Sequence, residues 1–192
     1  MSFSTIAIAR STRLLGQATL LSLCTLAAAH AAAFTAGEKD AADYCVKAGG
    51  TSSVVYPYGN TNADAAQWVR YAGSKDMCTF EAADGSQIAI WNKTLNTKMP
   101  SMAALAYYAK VPMGSSSGNP AFAYCVNKLG GAELIGAAGS GSGWATAPGE
   151  RVYAMCNFAD GSAIDDWGLT YHSADIVRGI DLSTVLHFAN PY

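Results

Sequence analysis

The sequence predicts an α+β fold made of two similar small units, each with a short helix, a three-stranded antiparallel sheet, a tail helix and one disulfide. The main observation is a duplicated stretch: residues 75–91 and 153–167 both carry Met-Cys, a phenylalanine two positions later, Asp-Gly and a final tryptophan. Asp-Gly between strand-forming runs is a hairpin signal. We therefore divide the chain into a first repeat unit at 34–111, a Gly/Ser linker at 112–118 and a second repeat unit at 119–192.

The elements of the first unit follow from local composition. Apolar residues at helical spacing predict a helix, and the Gly49-Gly50 pair that follows it is a helix stop. Runs rich in β-branched and aromatic residues predict the strands. The predicted elements are a helix at 36–48, strands at 51–56, 68–71, 77–81 and 87–91, and a tail helix at 101–110.

The second unit repeats this order. A Gly130-Gly131 pair again follows the first predicted helix. Trp91 and Trp167, which end the two duplicated stretches, are expected in the core. The predicted elements are a helix at 120–129, strands at 132–135, 151–158 and 162–169, and a tail helix at 181–189.

Four cysteines follow the N-terminal stretch at 1–33. If the chain is exported, they can be oxidised to disulfides. Spacing alone leaves three pairings open. The repeat selects one, because each unit holds one cysteine in its first helix and one in its hairpin, so we predict Cys45–Cys78 and Cys125–Cys156. Each bond would stabilise the fold by about 3–4 kcal/mol in the loop-entropy model. A zinc site is the alternative, but it lacks Cys-x-x-Cys and paired histidines, so we predict no metal and no cofactor.

The N-terminal stretch is typical of a secretory signal peptide, which we place at 1–33. Arg10 and Arg13 form its positive region, and an apolar run follows them. Small residues precede Ala32 and Phe34, so cleavage is expected before one of these two positions. The expected location is the periplasm or the medium. An uncleaved membrane anchor is the alternative, but the apolar run is short for a span.

Charge and composition exclude some partners. The formal net charge is −2 and no basic stripe is present, so neither nucleic acid nor an anionic membrane surface is an expected partner. A lipid anchor on Cys24 is another route to the membrane. A lipid-acceptor cysteine follows a small residue, however, and Leu23 is not small.

The second unit carries motifs that resemble a known family. In order they are Asn119-Pro120-Ala121, Tyr124-Cys125, Gly130-Gly131, Cys156-Asn-Phe158-Ala-Asp160-Gly161 and Trp167. They resemble a family of small bacterial secreted and lipoprotein modules, a cysteine-rich domain of unknown function often labelled hemolysin. Ile164 stands where that family has a further cysteine. The resemblance implies an α+β module with one disulfide per unit, and it implies no particular chemistry.

A hydrolytic enzyme is one alternative function. Asp165 and Asp166 precede His172, and a carboxylate with a histidine can perform acid–base catalysis. The first unit has Ala89 and Ile90 at the positions of the two aspartates. The chain has no His-Glu-x-x-His motif or phosphate loop, and its Gly-x-Ser-x-Gly match at 114–118 lies in the Gly/Ser linker, not at the strand-to-helix turn of a nucleophile elbow. We therefore assign no catalytic residue. A membrane-active, hemolysin-like protein is the other alternative, but no long amphipathic helix supports it.

The sequence favours a non-enzymatic binding or inhibitory module of the bacterial cell envelope or medium. Long loops on a disulfide-linked frame are typical recognition sites, and this chain has them at 57–66 and 136–143. Trp68 and Trp144 adjoin these loops and are the predicted ligand contacts, with a place in the core as the alternative. The expected partner is an envelope or extracellular ligand, with a protein as one case.

Overall fold

The computed structural model describes residues 36–192, so the predicted signal peptide, its cleavage sites and Cys24 lie outside the described residues. Within that range the chain forms helices and antiparallel strands, and both predicted disulfides, Cys45–Cys78 and Cys125–Cys156, are present. The α+β class and the cysteine pairing are confirmed. None of the helices in this range is long and apolar enough to cross a membrane.

The helices are short, and side-chain caps decide where some of them begin. The Ser101 side chain accepts a hydrogen bond from the Ala104 amide, and the Asn119 side chain accepts one from the Ala121 amide. The helices are α1 Ala36–Lys47, α2 Asn92–Asn96, α3 Met102–Ala109, α4 Pro120–Ala123, which continues as a π-helical turn at Tyr124–Lys128, and α5 Asp166–His172. Two short 3-10 turns lie at Ala65–Gln67 and Leu182–Thr184.

The strands form one antiparallel sheet. They are β1 Thr51–Gly59, β2 Val69–Arg70, β3 Lys75–Glu81, β4 Gln87–Trp91, β5 Ser142–Ala145, β6 Met155–Asn157 and β7 Ala163–Asp165. The strand order is β2-β1-β3-β4-β7-β6, and β5 pairs with β1. The β3–β4 and β6–β7 hairpins are the ones that the two Asp-Gly pairs predict.

One residue pair joins the two hairpins across the sheet. Ile90 in β4 lies opposite Ile164 in β7, and both are buried. The expectation of two separate three-stranded sheets is therefore wrong. Each hairpin alone would leave an apolar strand at a sheet edge, and pairing the two edges covers both.

The sheet also closes on itself. β5 pairs with the last four residues of β1, Tyr56 to Gly59. On its other side, Trp144 of β5 exchanges two backbone hydrogen bonds, of 2.9 and 2.8 Å, with Tyr153, just before β6 begins. The pairing path β1-β3-β4-β7-β6 thereby returns to β1 through β5. The result is a closed sheet with an inner and an outer face.

An apolar cluster covers each face of the closed sheet. The outer cluster lies between the sheet and the helices and includes the four disulfide cysteines. The inner cluster consists of Val55, Met77, Ala89, Trp91, Met155 and Ala163, with Trp144 and Tyr153 packed against it. The alternation of side chains along β3 explains the division, because Cys78 and Phe80 face outward while Met77 and Thr79 face inward.

The segments that follow the two hairpins are exchanged between the halves. α3 follows the first hairpin but packs on the second half, where Tyr107 stacks on His172 with ring centroids 3.6 Å apart. The C-terminal segment follows the second hairpin but packs on the first half, where the Tyr44 hydroxyl donates to the Val185 carbonyl at 2.9 Å. Each of these two segments therefore covers the other half of the chain and not the hairpin that it follows. The two halves stabilise each other instead.

The two hairpins differ in length, which changes the correspondence between the halves. The disulfide cysteine lies opposite Ile90 in the first hairpin and opposite Ile164 in the second, so the first hairpin is longer on both strands. Counted from these pairs, Trp91 corresponds to Asp165 and not to Trp167. Trp91 ends β4 and is 3% exposed, whereas Trp167 lies on α5 and is 36% exposed. The expectation that Trp167 is a core residue is wrong.

Two predicted elements near the end of the chain differ from the observed ones. The strand predicted at 162–169 ends at Asp165. The Asp165 carboxylate accepts a hydrogen bond from the Gly168 amide, and this cap marks the start of α5. The tail helix predicted at 181–189 is reduced to the 3-10 turn at Leu182–Thr184. Backbone groups beyond this turn bond to the first half of the chain, which prevents a longer helix.

The chain between α4 and β5 is irregular. The strand predicted to begin at Ala132 is reduced to one bridge with Asn157. The loop at 136–143 then contacts the first half, because the Asn62 amide donates to the Ser140 carbonyl at 2.9 Å. This loop and the loop after β1 therefore lie side by side.

Candidate functional site

A cleft with a volume of about 520 Å³ opens at one end of the inner face of the closed sheet, and we call it the mouth. Clefts of this size bind small molecules in many proteins. The strand register builds its first wall, because alternate residues of a strand face the same side. Thr51 lies opposite Thr79, and Glu81 lies opposite Gln87, so polar side chains line the mouth from three neighbouring strands.

The second wall of the mouth comes from the segment that joins β5 to β6. The residues that line it are Thr146, Glu150, Arg151 and Tyr153. The backbone bridge between Trp144 and Tyr153 holds this segment against the closed sheet. Met77 lines the mouth and also belongs to the inner cluster. The mouth therefore ends on an apolar floor.

A hydrogen-bonded chain of three side chains spans the mouth from wall to wall. The Tyr153 hydroxyl donates to the Gln87 side-chain carbonyl, and the Gln87 side-chain nitrogen donates to the Glu81 carboxylate. Burial is the main cause that raises the pKa of Tyr153, so its hydroxyl keeps the proton that it donates. Glu81 retains acceptor capacity, because an ionised carboxylate can accept about four hydrogen bonds.

The mouth combines many hydroxyl groups with few charges. The carboxylates of Glu81 and Glu150 face a single guanidinium, that of Arg151. Arg151, Glu81 and Glu150 are all exposed, so water screens the three charges. Ser53 and Thr51 add hydroxyl groups on the first wall. The mouth is therefore weakly negative and rich in groups that both donate and accept hydrogen bonds.

The three residues of the hydrolase alternative are not brought together. Asp165 and Asp166 lie at the start of α5 and His172 at its end, about 9 Å apart at a rise of about 1.5 Å per residue. Burial is the main cause that lowers the pKa of His172, and the charges that act on it come from other residues, among them Lys110 and Asp181. All three predicted residues are buried and lie outside the mouth.

Asp166 instead faces Glu133. Asp166 is 0% exposed, and a hydrogen bond joins its carboxyl group to that of Glu133 when one of the two holds a proton. Burial, and then the charge of Glu133, raise the pKa of Asp166, while burial raises the pKa of Glu133. Burial also raises the pKa of the neighbouring Asp165 to about 7. These carboxyl groups make the stability of the fold depend on pH.

The predicted ligand contacts Trp68 and Trp144 are half-buried and do not line the mouth. Trp68 packs edge-on against Tyr58 and donates from Nε1 to the Ala63 carbonyl at 3.0 Å. Trp144 packs edge-on against Trp91 on the inner face, with ring centroids 5.1 Å apart. Their role in ligand contact stays a prediction.

Sequence reasoning missed the mouth, although a local signal was present. Thr79 and Glu81 alternate with Cys78 and Phe80 in β3, and such alternation indicates a strand with one polar face. The pattern does not show which other strands share that face. The second wall comes from Arg151 and its neighbours, far away in the sequence.

Within the part of the chain that the structure describes, no group of three or more His, Cys, Asp or Glu side chains is placed to hold a metal ion. No family model, no curated protein and no solved structure matches this chain. The resemblance to the hemolysin-labelled modules and the repeat relationship between the halves therefore stay predictions.

Proposed function

We propose that this chain is an exported, disulfide-linked binding or inhibitory module of the bacterial cell envelope or medium, and that its ligand binds in the mouth. The observation that carries the proposal is a polar cleft of about 520 Å³ whose first wall consists of paired strands. Export is supported by the N-terminal sequence, and the two disulfides are compatible with an oxidising compartment.

The frame around the mouth favours binding. Cys78 lies in β3 between Met77 and Thr79, which both line the mouth, so its bond to Cys45 ties the central strand of the first wall to α1. A wall that is rigid before the ligand arrives reduces the entropy that binding must remove. A small exported module can therefore bind with useful affinity through a modest contact area.

Both proposed repeat units contribute to the mouth. The first wall comes from residues within the first unit, 34–111, and the second wall comes from residues within the second unit, 119–192. Under this proposal, duplication of one small unit created a cleft between two copies. Ligand sites commonly form where two such units meet.

A binding role fits the mouth better than catalysis. Catalysis by acyl transfer needs a nucleophile that is activated by a second group. The mouth contains the carboxylates of Glu81 and Glu150 but neither histidine nor cysteine. The buried aspartates, Asp165 and Asp166, lie elsewhere.

Capture from envelope extract tests the proposal. Three forms of the exported chain are immobilised: the wild type, the mouth variant Glu81→Gln/Arg151→Ala, and the control Asp40→Asn, which changes an exposed carboxylate on α1. We expect an extract component that the wild type and the control retain and that the mouth variant loses. Equal retention by all three forms, or retention by none, would contradict the mouth as the ligand site.

A further inference from the structure

We infer that the mouth binds a neutral, polyhydroxylated ligand, that is, a saccharide. The inference rests on the proposed function, because it names the ligand class of the same site. The walls offer threonine and serine hydroxyls, a side-chain amide, a phenol and carboxylates. A sugar hydroxyl donates one hydrogen bond and accepts others, so this mixture of groups can satisfy several hydroxyls at once.

The three-residue chain across the mouth presents a donor beside an acceptor. Gln87 accepts from Tyr153 through its side-chain oxygen and donates one amide hydrogen to Glu81. Its second amide hydrogen and the remaining acceptor sites of the Glu81 carboxylate are then next to each other. Two neighbouring hydroxyls of a sugar match this arrangement, because one can accept from the amide while the other donates to the carboxylate. Hydrogen bonds to an ionised carboxylate are stronger than neutral ones.

The second wall offers an apolar surface for the other side of the same ligand. Tyr153 is half-buried, and its hydroxyl already bonds to Gln87. An aromatic ring with its polar end fixed in this way leaves a flat apolar face. A sugar has apolar C–H faces as well as hydroxyls, and it can therefore contact the ring of Tyr153 while its hydroxyls bond to the first wall.

Other ligand classes fit the mouth less well. An anion would meet the carboxylates of Glu81 and Glu150 with one exposed guanidinium, that of Arg151, to balance them. A lipid chain would take the polar groups of both walls out of water without giving them partners. A zwitterionic peptide is the nearest competitor, because Arg151 and Glu81 can take its two charged ends.

Titrations followed by amide chemical shifts distinguish these ligands. The full exported chain is titrated separately with N,N′-diacetylchitobiose, maltose, cellobiose, the dipeptide Ala-Ala and inorganic phosphate. We expect at least one of the three disaccharides to shift the amides of Thr51, Thr79 and Gln87 in a saturable way. Glu81→Gln and Thr79→Val should each weaken that binding at least about tenfold, the loss expected for a charge-assisted or otherwise unsatisfied hydrogen bond. Asp40→Asn should leave it unchanged.

The outcomes separate this inference from the proposed function. Saturable shifts by the dipeptide or phosphate, with the disaccharides silent, would overturn the saccharide inference and leave the mouth as a binding site. Disaccharide shifts located on α5 around Trp167, with the mouth unchanged, would overturn it as well. If no probe shifts the mouth, the inference fails. The proposed function also fails if, in addition, the capture experiment finds no extract component that the wild type retains and the mouth variant loses.

Discussion

Replacement of Ile164 by alanine perturbs the junction between the two halves of the sheet. Ile164 is 0% exposed, lies opposite Ile90 and belongs to the outer cluster that both halves share. The substitution removes three carbon atoms, and at about 0.8 kcal/mol per buried carbon the lost transfer free energy is about 2–3 kcal/mol. The remaining cavity adds to this loss, so we expect the free energy of unfolding to fall by about 2–5 kcal/mol.

Guanidinium unfolding followed by tryptophan fluorescence measures this loss, and amide hydrogen exchange shows where it acts. We expect one transition, and reduced protection in β3 and β4 as well as in β6 and β7, because the halves share one core. Ile135→Ala removes the same atoms from a side chain that is 73% exposed, and it should change stability by less than about 0.5 kcal/mol. Loss of protection confined to β6 and β7, or two separate transitions, would refute the shared sheet.

Three further predictions follow from burial, pKa and sequence. Trp91→Ala should lower the free energy of unfolding by about 3–5 kcal/mol and Trp167→Ala by under about 1 kcal/mol in chemical denaturation, because only Trp91 is fully packed. Asp165 has a pKa of about 7 in the fold against an ordinary 3.8. Its contribution to stability should be complete below about pH 4 and decline as the pH rises to about 7, and Asp165→Asn should flatten that slope in urea unfolding. Intact-mass analysis of periplasm or medium should find a chain that begins at Ala32 or Phe34.

Each of these predictions has a result that contradicts it. Equal losses for the two tryptophan variants would mean that Trp91 and Trp167 are equivalent positions, against the register of the two hairpins. Burial lowers the pKa of His172, so its contribution to the stability of the fold is lost as the pH falls below about 6.5. The difference between wild type and Asp165→Asn removes this background and reports Asp165 together with its effect on Asp166, whose pKa the charge of Asp165 also raises. A difference that does not change between about pH 4 and pH 7 would contradict a raised pKa of Asp165. A full-length or lipid-modified product would contradict cleavage and export.

Short-range signals predicted the parts of the fold that short-range physics decides. The Asp-Gly turns predicted both hairpins, and the repeated cysteines predicted both disulfides. The junction of Ile90 with Ile164 left no such signal, because an apolar residue on a strand looks the same whether a helix or another strand covers it. The packing of each tail on the other half could not be predicted either, because the contacts join residues far apart in the sequence, such as Tyr107 and His172.

The sequence alone did not predict the mouth, for a related reason. The sequence predicts Tyr153 as part of a strand, but its position across from Gln87 depends on closure of the sheet through β5. Extra residues in the first hairpin also shift the correspondence between the halves, so the repeat pattern predicts a core position for Trp167, which lies on the surface of α5. A shift of this kind changes which side chains share a face without altering any local motif.

Amide hydrogen exchange of the exported chain, with and without the extract component that the wild type retains, tests the proposed ligand site most directly. A ligand in the mouth should slow exchange in peptides that cover 49–53, 79–87 and 146–153, and it should leave α1 and α5 unchanged. Slowed exchange around Trp68 or Trp167, with those three segments unaffected, would contradict the account.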